Sequence, residues 1–244
     1  MGFGPAQLKE IVVTGLAEVM ASERFEPSKP LDRGGLPGSA GESSSSAVWF
    51  AVDNLGVPNT TKAVTVDFMG DRKRGLGVAP WAFVVSDAVE NVLNEMPSEV
   101  LTKIDLRRNF LGSAAFMHFV RPRGTSEIWV SSEEGAERAV SEFRGLYYGP
   151  VEEWFARFGS PETLLEYARK PSVRAYDRVN PNPLLLRAAA VLSVVNGLPQ
   201  EAAELVAWYL RRDGFHNWDS VDRAEGFDAA MIERFPDYAR ARGR

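Results

Sequence analysis

The chain has 244 residues, 45% hydrophobic and 25% charged, the balance of an ordinary globular protein; wholesale disorder, a collagen-like repeat and a disulfide-rich miniprotein are excluded. Lys and Arg total 28 against 33 Asp and Glu, a net charge of −5, so the totals do not mark a protein built on phosphate contacts. With no cysteine, disulfides, thiolate catalysis, zinc fingers and iron–sulfur clusters fall away.

Met1–Phe25 lacks the basic start and unbroken apolar run of a signal peptide, and Ala6 stands where myristoylation wants Ser or Thr. No stretch reaches about 18 uninterrupted apolar residues, the length of a membrane span, so the expected location is the cytoplasm. Leu8, Ile11, Val12, Leu16 and Val19 recur at helical spacing and predict an amphipathic helix over Ala6–Met20. The proline-, glycine- and serine-rich stretch 27–46 reads as a flexible connection. Its run Gly34–Gly41 is followed by Glu42 and serines, not by the Lys-Ser/Thr and helix of a phosphate-binding loop. Pro37 stands where a nucleophile elbow around Ser39 needs glycine, and no Ser has Lys three residues on, so serine nucleophile chemistry is rejected.

AVWFAVDN (47–54) and KAVTVDFM (62–69) are rich in β-branched and aromatic residues and flank Gly56-Val57-Pro58-Asn59, which predicts a hairpin. Trp81–Val85 is either a strand or the lead into a helix capped by Ser86 over Asp87–Glu95. Ala114–Arg121 and Glu127–Ser131 predict a second hairpin, with His118 half-buried on the same strand face as Phe116 and Val120. Ser131 and Glu134 have the spacing of a capping box for a helix to about Arg144. Beyond it the pattern is helical. Val151–Phe158 is short and aromatic, and Ser160-Pro161-Glu162 opens a helix. Leu184–Asn196 and Gln200–Arg212 form a helical hairpin around Gly197-Leu198-Pro199, and Asp228–Phe235 predicts a last helix.

The expected fold class is α+β: a small antiparallel sheet with flanking helices, followed by a mainly helical C-terminal segment. Residues 1–145 would hold the sheet and 146–244 the helical segment, packed either as one domain or as two.

Two clusters could carry function. Tyr147, Tyr148 and Trp154 combine large contact area with polar tips and could form a recognition patch, or the core joining sheet to helices. His216, Asp219 and Asp222, with Glu225 behind them, could act as a metal or acid/base site; the same residues serve caps and turns, with Asp219 a plausible helix N-cap. No metalloprotease, EF-hand or deaminase spacing accompanies them, so no cofactor is expected. A nucleic-acid reading is disfavoured by the charge and would require Arg72–Arg74, Arg121 and Arg123 to share one face.

The order of AVWFAVDN, KAVTVDFM, EIWVS and GPVEEWFARFGSPETLLEYA resembles small bacterial α+β domains of unknown function of the toxin-immunity type. The resemblance spans roughly Leu16 to Ala168, rests on pattern, and carries over no functional residue. It implies a non-enzymatic, protein-binding module whose acidic surface meets a basic toxin. The alternative is an enzyme or a metal- or small-ligand-binding protein using His216, Asp219 and Asp222.

Overall fold

The computed structural model describes residues 4–28, 45–51, 56–101, 110–121, 124–171, 180–215 and 219–244. Its fold is α+β, with an antiparallel sheet and a helical C-terminal region. The predicted glycine-rich connection lies, from residue 29 to residue 44, outside the described residues.

The chain divides into two compact units that do not follow sequence order. The first takes Met1–Asn54, Thr61–Val84 and Ser113–Ala156, and the second Leu55–Thr60, Val85–Gly112 and Arg157–Arg244.

The first unit begins with α1 (Pro5–Ser22), opened by Pro5 at a position where its missing N–H costs nothing. Leu8, Val12, Leu16, Val19 and Met20 form its buried stripe. The sheet runs β1 (Phe25–Ser28), β2 (Ser45–Ala51), β3 (Thr61–Asp71), β4 (Gly75–Val85) and β5 (Phe110–Ala115), with β6 (Ile128–Val130) also on β4. The expected hairpin is present: β2 and β3 pair antiparallel, with Ser45 opposite Phe68 and Phe50 opposite Ala63. β1 is an addition. Pro27 and Ser28, expected in the flexible connection, instead pair with Trp49 and Val48.

The second predicted hairpin is corrected. β6 pairs with Leu76–Val78 of β4, and Phe116–Val120 forms a short helix, α3. Phe116 and Met117 are both buried, which adjacent strand residues on opposite faces would not favour at a sheet margin. Phe116 stacks on Phe143 with ring centroids 4.9 Å apart. His118 is exposed, not half-buried with Phe116, and meets the Trp81 ring edge-on. The helix cap is also displaced by one residue: Ser132, not Ser131, accepts the Gly135 N–H at the start of α4 (Glu133–Leu146). After α4 the chain makes a wider turn over Tyr147–Val151, where Gly149 leaves helical geometry, and resumes as α5 (Glu152–Phe155).

In the second unit, α2 (Asp87–Asn94) is capped by Ser86 and α6 (Pro161–Arg169) by Ser160, both as the sequence predicts. α7 (Pro183–Val195) and α8 (Pro199–Leu210) form the expected helical hairpin. Gly197 takes φ +77°, and the N–H groups of Gly197 and Leu198 return to Val194 and Ser193, satisfying carbonyls at the end of α7. α9 (Val221–Arg234) starts earlier than the expected Asp228, and its N-cap is Ser220 rather than Asp219. α10 (Pro236–Ala241) follows, and no helix among the described residues is long and apolar enough to cross a membrane.

Candidate functional site

The predicted aromatic patch falls at the end of α4. Phe143 and Tyr147 stack there, and the Tyr147 ring meets Phe25 edge-on, so Tyr147 is core. Burial pushes the Tyr147 hydroxyl pKa upward, and the nearby charges of Glu23 and Glu152 add to the shift. Trp154, on α5, is buried beside Phe155. Tyr148 points the other way. It is 45% exposed, the only aromatic among the exposed large hydrophobic side chains of the described residues.

Local sequence explains this split. Consecutive residues of a helical turn project about 100° apart, so a buried Tyr147 sends Tyr148 outward. Gly145 and Gly149 border it, and a Cβ on either would meet no atom within 4 Å. The exposed ring is nevertheless held. Its edge-on contact with Tyr147 spans 5.3 Å between centroids, and its hydroxyl shares a 3.1 Å hydrogen bond with Ser22 Oγ. Glu152 and Glu153 are exposed at the start of α5, and Glu23 follows Ser22 on the other side.

The second predicted cluster is not brought together among the described residues. His216 lies outside them. Asp222 is exposed in the first turn of α9, a favourable place for a carboxylate near a helix N-terminus. The Asp219 side chain is wholly buried. Its Oδ1 accepts the Arg187 guanidinium at 2.7 Å and the Ser220 N–H at 3.0 Å, and its Oδ2 accepts the Tyr209 hydroxyl at 2.9 Å. Arg187 also donates to the Val100 carbonyl and lies over the Phe227 ring. Burial, then the Asp219 charge, drives the Tyr209 pKa upward.

A similar arrangement closes the C-terminal helices. Asp228 accepts the Tyr238 hydroxyl and both Nε and an Nη of Arg242. The hydrogen bonds from Arg242 to Asp228 raise the guanidinium pKa, and burial raises that of Tyr238. Neither buried group was expected from sequence, although a lone arginine inside the apolar run PLLLRAAAVLSVV was a signal for a paired charge.

Open cavities lie in the second unit. One of about 470 Å³ is lined by Asn180 and Arg211–Gly214, where Arg212 donates to Asn180 and Asn180 to the Phe215 carbonyl. No group of three or more His, Asp or Glu side chains among the described residues is placed to hold a metal ion.

The cations of the nucleic-acid reading fall in different elements. Arg72–Arg74 form the β3–β4 turn, and Arg74 lies over the Trp129 ring. Arg121 follows α3, whose His118 meets the Trp81 ring. Arg123 lies outside the described residues.

No family model, curated protein or solved structure matches this chain.

Proposed function

We propose that the chain is a non-enzymatic protein-binding module of the immunity type, acting in the cytoplasm through a face centred on Tyr148. The observation that carries this reading is the fixed exposure of Tyr148: a large ring at the surface, oriented by Ser22 and Tyr147. Tyrosine is enriched among residues that dominate protein interfaces, because it adds contact area and a hydrogen-bonding tip through few rotors. A ring already ordered avoids roughly 0.5–1.5 kcal/mol of side-chain entropy loss on docking. The net charge of −5 favours encounter with a basic partner. Asp219, which an acid/base or metal reading would use, has both oxygens committed to Arg187, Ser220 and Tyr209.

Site-specific photocrosslinking tests this reading. Benzoylphenylalanine is placed at position 148 and, separately, at the exposed apolar positions Val120, Val195 and Val221. The expected outcome in native lysate is one discrete protein adduct from position 148, lost when excess unmodified protein competes. The same pattern of adducts from all four positions, or no adduct from 148, overturns it.

A further inference from the structure

Rings across this molecule are covered by its own cations. Lys9 lies over Phe68, Arg74 over Trp129, Arg157 over Tyr167 and Arg212 over Trp208, each within 5.4 Å of the ring centroid. Tyr148 makes no such contact among the described residues, although it is the exposed ring. Arg144, one turn earlier on α4, does not cover it, and Arg24 has a partner of its own.

Carboxylates outnumber cations in the chain around the ring, Glu23, Glu152 and Glu153 against Arg24 and Arg144. Glu23 follows Ser22, the hydrogen-bond partner of the Tyr148 hydroxyl, and Glu152 lies four residues beyond Tyr148 in the chain. Glu153 is exposed beside Glu152, and none of these three carboxylates forms an ion pair among the described residues. An aromatic face attracts a cation through its quadrupole, and adjacent carboxylates strengthen that attraction.

We propose that the Tyr148 ring receives an arginine or lysine side chain of the partner, with Glu23 and Glu152 supplying the counter-charge. The inference rests on the protein-binding reading and adds to it the chemistry of the contact. A Cβ at Gly149 would meet no atom within 4 Å, so the backbone beside Tyr148 is uncrowded and a cationic stem can lie along it.

The test is a two-dimensional amide NMR titration of the full chain with an octapeptide of alternating Gly and Arg. Octapeptides with Gln or Glu in place of Arg serve as controls. Shifts are expected at Ser22, Tyr148, Gly149 and Glu152 with the Arg peptide and with neither control. Tyr148→Leu retains bulk and apolarity but loses the aromatic face, and should weaken binding about fivefold or more. Tyr148→Phe retains the face and should stay within about twofold. The Glu23→Gln/Glu152→Gln double variant should weaken binding and flatten its salt dependence. Each variant's own spectrum reports its folding. Equal binding by Tyr148→Leu, equal shifts with the Gln peptide, or no shifts at these residues overturns the proposal. A position-148 crosslink obtained together with such a result leaves the protein-binding reading standing and removes only the cation.

Discussion

Asp219 discriminates between the readings of its segment, because a carboxylate that neutralises a buried arginine is not free to act as a base. Arg187 and Asp219 have side chains 1% and 0% exposed, so removing either leaves the other charged and dry. That mechanism predicts a loss of about 3–5 kcal/mol for Asp219→Ala, measured by chemical denaturation. Tyr209→Phe should cost about 1–3 kcal/mol alone, since its hydroxyl donates to an ionised partner. In the Asp219→Ala background the same change should be nearly neutral, because the hydroxyl is already without that acceptor. An Asp219→Ala variant within 1 kcal/mol of the parent would contradict this coupling. The candidate was visible in the sequence as a carboxylate near His216, but its partner was not. Arg187 is 32 residues away, and spacing alone cannot identify an ion pair closed by tertiary packing.

At the scale of elements, what the sequence made legible was local chemistry. Ser86 and Ser160 cap their helices, and Gly197-Leu198-Pro199 turns a helical hairpin, because those motifs are determined within a few residues. β4 was harder to read. Gly75, Gly77 and Pro80 are residues depleted in strands, and burial on both faces erases the alternation that marks a half-exposed strand. The Phe116–Val120 segment failed for a related reason: short apolar runs fit either period, and packing chose the helix. Packing also explains Gly15. A Cβ there would lie 2.8 Å from a methyl of Val140 on α4, so the glycine permits close approach of α1 and α4. Gly15→Ala should gain about 1 kcal/mol in helix propensity but lose about 1–3 kcal/mol to overpacking against a stiff β-branched side chain. The net expectation is destabilisation. In a Val140→Ala background the clash disappears and Gly15→Ala should become stabilising, so a change of sign in denaturation midpoint tests the contact. Destabilisation of equal size in both backgrounds would place the cause elsewhere.

The molecule as a whole is organised by contacts that no linker announces. The expected boundary near residue 145 follows a change in pattern, whereas the compact units divide at Ala156 and exchange shorter segments upstream. Gly56-Val57-Pro58-Asn59 has a clear turn signature, yet a turn signature does not tell where the turn docks. Val57 is buried in the second unit, Asn59 donates to Asn196, and a Cβ on Gly56 would collide with the Gly159 carbonyl. The buried tyrosines make the response of both units to alkali predictable: Tyr147 lies in the first unit, and Tyr209 and Tyr238 in the second. Burial raises the pKa of each above its ordinary value near 10, with Asp219 and Asp228 reinforcing the shift at Tyr209 and Tyr238. The unfolded chain therefore releases these protons first, and above about pH 10 stability must fall as pH rises. Below that pH, both states hold the protons and these groups contribute their stabilisation in full. A spectrophotometric titration followed with circular dichroism should show these three of the six tyrosines ionising only as helical signal is lost. Tyr147→Phe should reduce the alkaline sensitivity of the first unit, and Tyr209→Phe that of the second, as read by amide exchange in each. Ionisation of all six tyrosines with the helical signal intact would mean that the three hydroxyls are not enclosed.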